Sequence, residues 1–371
     1  DAMMPRTLTR LAAALALMLA AVVPARAEVE IEQVTSPGGI DAWLVEDHNI
    51  PFVALELRFR GGTSLDAPGE RGAVRLMTAL LEEGADDLDA QAFARETERV
   101  AADFDYDAGD DSVAVSARFL TETRDEAVAL LRASLVAPRF DSDAVDRVRA
   151  QAISAVRSDR RDPSVIATRV FDGLAFGDHP YGSSPDGTPE SLAALTRADI
   201  VAAHRAALAR DRVMVGAAGD ITAEELGVLL DRLLGDLPAE GAPQPGAAEL
   251  ALPGGVHVVP FETPQSVAVF GQPGPARDDE DFFEAFVLNH IFGGGGFESR
   301  LMQEVREKRG LTYGVYTYLA PKDHGALYLG RVASGNDRVA EAVRVIREEW
   351  TRIAREGVTE TELEEAKTYL T

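Results

Sequence analysis

The feature that most constrains this sequence is a series of predicted elements that occurs twice. In residues 53–59 apolar and polar side chains alternate, which predicts a half-buried strand, and two helices, a hairpin and a further helix follow. The same order begins again near residue 266, at a nearly constant offset of about 214 residues. The sequence therefore predicts an α+β fold made of duplicated units, in which mainly antiparallel sheets are covered by helices.

The two units are separated by a stretch rich in Pro, Gly and Ala that begins at Leu237. We expect a first unit over residues 28–236, a linker over 237–253 and a second unit over 254–371. The first unit continues beyond residue 157 through helices and a strand for which the second unit has no counterpart. Because a half-built sheet leaves an unpaired edge, we expect the second unit to be truncated and the natural protein to be longer by several tens of residues.

The first 27 residues have the pattern of a signal peptide. Arg6 and Arg10 precede a short apolar run over 11–23, and Ala25-Arg26-Ala27 is typical of a cleavage site. The run is shorter than the ~20 apolar residues that a spanning helix needs, which disfavours the alternative of an uncleaved anchor. The sequence thus predicts an exported protein, periplasmic or secreted.

Composition excludes several classes of chemistry. The chain has no cysteine, so thiolate zinc sites, iron–sulfur clusters, thiol nucleophiles and disulfides are ruled out. Its formal charge of −25 argues against a nucleic-acid partner, which requires a basic face.

Three aspartates at alternate positions, Asp103, Asp105 and Asp107, suggest a calcium-binding loop at first sight. Gly109 comes one position too late for such a loop, and Ala114 stands where a bidentate glutamate is needed. The segment is therefore predicted to be an acidic, solvent-facing strand and turn.

Two glycine-rich stretches carry a family resemblance. The first is Gly61-Gly62-Thr63-Ser64 with Pro68-Gly69-Glu70-Arg71-Gly72 before an apolar helix, and the second runs from Gly293 through Leu301 to Gly314. These motifs resemble the pitrilysin/insulinase peptidases, which include the subunits of mitochondrial processing peptidase. The resemblance covers nearly everything after residue 27 and implies the duplicated metallohydrolase fold of those subunits.

Active members of that family carry a His-x-x-Glu-His zinc motif on the first helix of the first unit. The matching positions here are Arg75, Thr78 and Ala79, and the family's third ligand falls on Ala155. A guanidinium offers no lone pair, and alanine offers no ligand atom. We therefore expect no metal and no cofactor in this chain, and no cleavage by the chain alone. The six histidines lie far apart in sequence, and each is expected to be a surface or capping residue.

The resemblance implies a role for Arg306 and Tyr313. In two-part members of the family, the second half supplies an arginine and a tyrosine to the zinc site of the other half. Arg306 is predicted in the last turns of a helix, and Tyr313 at the start of a strand. Without the family context, they would be interpreted as a solvated helix residue and a half-buried strand residue.

Four consecutive glycines, Gly293, Gly294, Gly295 and Gly296, are predicted to form a flexible loop at the mouth of a substrate cavity. A phosphate-binding loop is disfavoured, because no Gly-Lys-Ser/Thr follows.

The sequence thus predicts the non-catalytic subunit of an exported heterodimeric zinc peptidase. A homologous partner would bear the zinc motif, and the substrate would be a peptide or an unfolded polypeptide. Two alternatives stay open: a non-enzymatic scaffold that kept the fold, and a peptide-binding protein that acts as a homodimer.

Overall fold

The computed structural model describes residues 30–371. The predicted signal peptide, 1–27, lies outside these residues. Between residues 30 and 371, no helix is both long and apolar enough to cross a membrane.

The first part of the chain forms a six-stranded sheet and a small two-stranded ribbon. Its strands are β1 (Glu32–Thr35), β2 (Asp41–Glu46), β3 (Phe52–Arg60), β4 (Gly84–Ala85), β5 (Leu88–Asp89), β6 (Asp103–Ala108), β7 (Ser112–Leu120) and β8 (Val213–Gly219). The large sheet has the order β1-β2-β8-β3-β7-β6, and β4 pairs with β5. All neighbours are antiparallel except β2 and β8, which run parallel.

Eight α-helices belong to this part of the described chain. They are α1 (Ala73–Ala79), α2 (Ala90–Arg99), α3 (Arg124–Val136), α4 (Ser142–Asp159), α5 (Pro163–Phe176), α6 (Pro189–Ala194), α7 (Arg197–Ala207) and α8 (Ala223–Leu234). Alternation in β3 puts Val53, Leu55, Leu57 and Phe59 in the core, where they belong to one apolar cluster with α1. Residues 235–264 contain neither helix nor strand; their role as a linker stays a prediction.

The second part has a three-stranded antiparallel sheet covered by helices. Its strands are β9 (Gln265–Pro273), β10 (Gly314–Ala320) and β11 (Leu327–Gly335), in the order β10-β11-β9. Its α-helices are α9 (Phe282–Asn289), α10 (Val339–Glu356) and α11 (Glu360–Leu370). Two short π-helices, His290–Gly294 and Met302–Glu307, lie between α9 and β10.

The duplication is visible in the sheets themselves. The first sheet contains β6-β7-β3, and the second sheet repeats this order and direction as β10-β11-β9. The pairing register of the hairpins is repeated too. An arginine of the inner strand lies opposite the edge strand in both: Arg118 of β7 opposite Asp103 of β6, and Arg331 of β11 opposite Tyr316 of β10. The predicted α+β fold of duplicated units with mainly antiparallel sheets is therefore confirmed.

The two units meet at the ends of equivalent hairpins. Lys322, in the turn between β10 and β11, places its Nζ 2.5 Å from Asp110 in the turn between β6 and β7, and 4.5 Å from the ring centre of Tyr181. Asp111 accepts hydrogen bonds from the Tyr181 hydroxyl and, at 3.1 Å, from the Asp323 amide. An apolar cluster, which Phe176 and Leu329 share, extends this contact. Polar and apolar contacts therefore join the units.

Asp172 of α5 makes this contact sensitive to pH. Burial raises the pKa of its carboxyl to about 6, although Lys322 opposes the rise and Asp110 adds to it. The native state thus binds this proton more tightly than the unfolded chain, and the resulting penalty grows as pH rises above about 4 and is complete above about 6. We expect Asp172→Asn to raise the free energy of unfolding near pH 7.5 by up to about 3 kcal/mol, with the gain fading as pH falls through 6 and absent below about 4.

Urea unfolding followed by circular dichroism across this pH range measures the effect. Asp178→Asn is the matched control, because Asp178 lies just past the end of α5 and is exposed. A gain that is the same at pH 5 and pH 7.5 would contradict the assignment to Asp172.

Candidate functional site

The family's zinc positions lie on α1 and α4 and hold no ligand atoms. Arg75 and Ala79 are on the exposed side of α1, and Ala155 is on an exposed side of α4. Arg75 Nη2 donates to the Ala108 carbonyl at 2.8 Å, and its Nε lies 3.3 Å from Asp186 Oδ1. The guanidinium is therefore bound to neighbouring protein groups.

Thr78, at the position of the family's catalytic glutamate, is buried and faces inward. Its hydroxyl donates to the Val74 carbonyl at 2.9 Å, one turn earlier in α1. Across residues 30–371, no group of three or more His, Asp or Glu side chains is arranged to hold a metal ion.

The histidines differ in part from the expectation. His179 is a capping residue, because its ring accepts a hydrogen bond from the Tyr181 amide. His204 is not at the surface: it is 7% exposed on α7, so that part of the expectation was wrong for this residue. Its Nε2 lies 2.8 Å from the Leu135 carbonyl in the last turn of α3, so the buried ring caps the end of that helix.

The glycine-rich segment is helical, where the sequence predicted a loop. Gly293 and Gly294 belong to the first π-helix, and Gly296 starts a 3₁₀ turn with φ of 61°. Gly293 is pressed against β10, because a Cβ there would lie 2.4 Å from Thr317 Oγ1. Thr317 in turn donates to Asn289 Oδ1 at 2.8 Å and so ties β10 to the end of α9. Glycine is thus required at position 293 because β10 approaches closely, and at position 296 because the backbone has a positive φ.

Arg306 is presented by the second π-helix, beside the glycine-rich segment. Its guanidinium carbon lies 4.5 Å from the ring centre of Phe297, which follows the four glycines. The buried Nη1 has no hydrogen-bond partner among the described residues, and its nearest carboxylate oxygen, on Glu307, is 3.6 Å away. The Arg306 side chain as a whole is 31% exposed, so its guanidinium can donate a hydrogen bond to the carbonyl or carboxylate of a ligand.

Tyr313 lies immediately before β10, and 85% of its surface is exposed. The turn that connects it to Arg306 is short, since the Gly310 amide donates to the Arg306 carbonyl at 2.7 Å and Gly310 has φ of 61°. The Thr312 hydroxyl, 2.5 Å from the Ala333 carbonyl, fixes the turn to β11. Arg306 and Tyr313 therefore lie at the two ends of one hydrogen-bonded turn that leads from the second π-helix into β10.

Two features of this region were missed from the sequence. Phe297 lies in the glycine-rich motif, but nothing in the sequence indicates that its ring stacks on Arg306. The Asn289–Thr317 hydrogen bond joins residues far apart in sequence, and only the fold brings them together.

Comparison with known proteins gives a consistent result. Residues 194–370 match the family described as the peptidase M16 inactive domain. The non-peptidase homolog YmxG of Helicobacter pylori is 27% identical over 329 residues, which cover 88% of this chain and 75% of that protein. An uncharacterized zinc protease of Streptomyces coelicolor is 26% identical over 344 residues, covering 90% and 74%.

The crystal structure of a peptidase M16 inactive domain from Pseudomonas fluorescens has the same fold. It matches with a TM-score of 0.85 and 28% identity, covering 92% of this chain and 83% of that chain. The relatives share the sequence similarity, but their names divide between a non-peptidase homolog and zinc proteases. The residues at the zinc positions of this chain resemble the first case. By sequence over residues 194–370, and by fold over most of its length, this chain is similar to M16 peptidase homologues.

Proposed function

We propose that this protein is the non-catalytic subunit of a heterodimeric zinc peptidase, to which it supplies Arg306 and Tyr313. One observation carries the proposal. The chain has no ligand side chains at the family's zinc positions, but an exposed tyrosine and a partly exposed arginine lie at the two ends of one turn.

The chemistry of the two side chains suits peptide hydrolysis. A neutral phenol, which titrates near pH 10, can donate a hydrogen bond to a carbonyl oxygen as it becomes an oxyanion. A guanidinium can hold a second carbonyl of the same substrate. Zinc in the partner subunit would activate the attacking water. Each half of the pair would thus lack what the other half supplies.

Export is the second element of the proposal. It rests on the basic, apolar and small-residue pattern of residues 1–27, and it makes the periplasm or the extracellular medium the expected location. Substrates there would be peptides or unfolded polypeptides, which can lie along a sheet edge.

Capture from the native periplasm tests the proposal. The tagged chain should recover a homologue that bears His-x-x-Glu-His, and zinc analysis should assign the metal to that homologue. Peptide cleavage should require both chains. Recovery of no such homologue would overturn the proposal, and a stable pair that cleaves nothing would favour a scaffold.

A further inference from the structure

The junction between the two units depends on a short 3₁₀ turn, Pro180–Gly182, that follows α5. Tyr181, at the centre of this turn, is 3% exposed and contacts both hairpins of the junction. Its hydroxyl donates to Asp111 of the first unit and accepts a hydrogen bond from the His324 amide of the second unit at 3.2 Å. The ammonium of Lys322 lies over its ring. Contact between the units therefore depends on how this turn is held.

His179 holds the turn, and it can do so only as a neutral ring. Its Nδ1 accepts a hydrogen bond from the Tyr181 amide at 3.2 Å, and its Nε2 lies 3.1 Å from the Gly246 carbonyl. One ring nitrogen is thus an acceptor and the other a donor, which is the pattern of a neutral imidazole. In the imidazolium both nitrogens carry a proton, so Nδ1–H would face the Tyr181 N–H and the cap would be lost.

The surroundings of this ring also disfavour a positive charge. The ring is faced by Tyr181 of the same turn, by His324 and Lys322 of the β10–β11 turn, and by Asp111 of the β6–β7 turn. The ring centre of His324 is 6.0 Å away, across the boundary between the units. Burial lowers the pKa of His179, and His324 and Lys322 lower it further, although the hydrogen bond to Gly246 and the charge of Asp111 oppose this.

The same ring holds the segment that connects the units. Residues 235–264 contain neither helix nor strand, and His179 binds the Gly246 carbonyl of this segment. Two residues further on, the Ala248 amide donates to the His324 carbonyl at 2.6 Å. Release of His179 would therefore loosen the connecting segment as well as the 3₁₀ turn.

We propose that His179 is a pH-sensitive latch of the junction between the units. In mild acid, protonation of its ring breaks the cap, frees Tyr181 and loosens the contact between the two hairpins, while the core of each unit stays folded. The closed junction excludes the proton and the open junction takes it up. Closure is therefore favoured at neutral pH and is lost as pH falls below about 6.5. The latch requires neither zinc nor a partner subunit, so it does not depend on the proposed function.

Amide hydrogen exchange of the full chain between pH 5 and pH 7.5 tests the latch, after correction for the intrinsic exchange rate at each pH. The amides of Tyr181, Asp323 and His324 have their acceptors in the junction. They should lose protection by up to about tenfold for each pH unit below about 6.5, because one proton is taken up on opening. Amides of β3 and α10, in the cores of the two units, should keep their protection.

The experiment uses Asp172→Asn as its background. Asp172 contributes to the same junction and titrates in this pH range, but with the opposite sign, because its protonation favours the closed form. Replacing it by asparagine removes this opposing contribution, so that the remaining pH dependence can be assigned to the histidines.

A second substitution separates the proton from the cap. In His179→Asn the side-chain oxygen can still accept from the Tyr181 amide, as asparagine does at other N-caps, but it does not titrate. Protection should then stay constant from pH 7.5 to pH 5. His257→Asn is the matched control, because His257 is exposed in the connecting segment, and it should keep the full pH response. Circular dichroism verifies that each variant is folded.

The absence of cysteine allows an independent measurement with a pair of spin labels. Glu98→Cys on α2 and Glu365→Cys on α11 place one label at an exposed position of each unit. The distribution of distances between the labels should broaden from pH 7.5 to pH 5 and stay narrow when His179→Asn is added.

Three results would overturn the proposal. The first is protection of the junction amides that does not change between pH 7.5 and pH 5. The second is a pH response that persists in His179→Asn, above all if His324→Asn abolishes it. The third is an equal loss of protection in β3, which would show that the whole chain unfolds in acid and that the junction does not open by itself.

Discussion

If the proposed function holds, replacing Tyr313 by phenylalanine is expected to lower the turnover number of the proposed peptidase pair about a hundredfold. The change removes one hydroxyl from a residue that is 85% exposed, so the fold and the association of the subunits should be preserved. Loss of one donor to a developing oxyanion typically lowers kcat by ~10²–10³. Because the donor acts mainly in the transition state, kcat should fall much more than KM rises.

Steady-state kinetics on the purified pair, with sedimentation to verify that the subunits stay together, measures this effect. Tyr369→Phe is the matched control, because Tyr369 is also highly exposed, at 79%, and stacks on His290 away from the turn that holds Tyr313. Turnover that is unchanged in Tyr313→Phe would contradict the assigned role. An equal loss in both variants would indicate that tyrosine hydroxyls in general matter for activity.

Most of the architecture follows from local patterns in the sequence. Alternation predicts β3, and α2 begins after Asp89, an N-cap residue type whose carboxylate accepts from the Ala92 amide at 2.8 Å. Asp103, Asp105 and Asp107 lie in a strand, as predicted, and not in a calcium loop. These features depend on neighbours in the sequence, and elementary rules therefore identify them.

The features that could not be predicted depend on long-range contacts. The π-helices differ from α-helices in hydrogen bonding and not in apolar pattern, so periodicity does not distinguish them. His204 is buried because α3 offers it a carbonyl, and Lys322 pairs with Asp110 because two hairpins meet. In both of these contacts, the two residues are at least 69 positions apart in the sequence.

The candidate site shows the same division. The motif identifies Arg306 and Tyr313 and locates them near the end of a helix and the start of a strand. The stacking of Phe297 on Arg306 emerges only from the coordinates. The repeat is nevertheless encoded in the sequence. The strand pairing then shows which residues of the two units are equivalent, since Asp103 lies opposite Arg118 and Tyr316 lies opposite Arg331.

Replacing Phe292 by alanine should cost about 3–5 kcal/mol of unfolding free energy in the second unit. Phe292 is 1% exposed in the first π-helix, and its ring centre lies 5.2 Å from that of Trp350 in an edge-to-face contact. Its removal leaves a cavity in the apolar cluster beneath β10, β11 and α10. The glycine-rich segment and the turn with Tyr313 are supported by this cluster, so both should lose order first.

Trp350 is a direct probe of this loss. The chain has two tryptophans, and Trp43 belongs to the first sheet, so a Trp43→Phe background makes the fluorescence specific for the second unit. The urea midpoint reported by Trp350 should fall clearly in Phe292→Ala. Phe283→Ala, 66% exposed on α9, should move it little. An unchanged midpoint in Phe292→Ala would mean that this cluster does not support the second unit. The conformation of the turn between Arg306 and Tyr313 would then depend on its own hydrogen bonds, through Gly310 and Thr312, and not on the core beneath it.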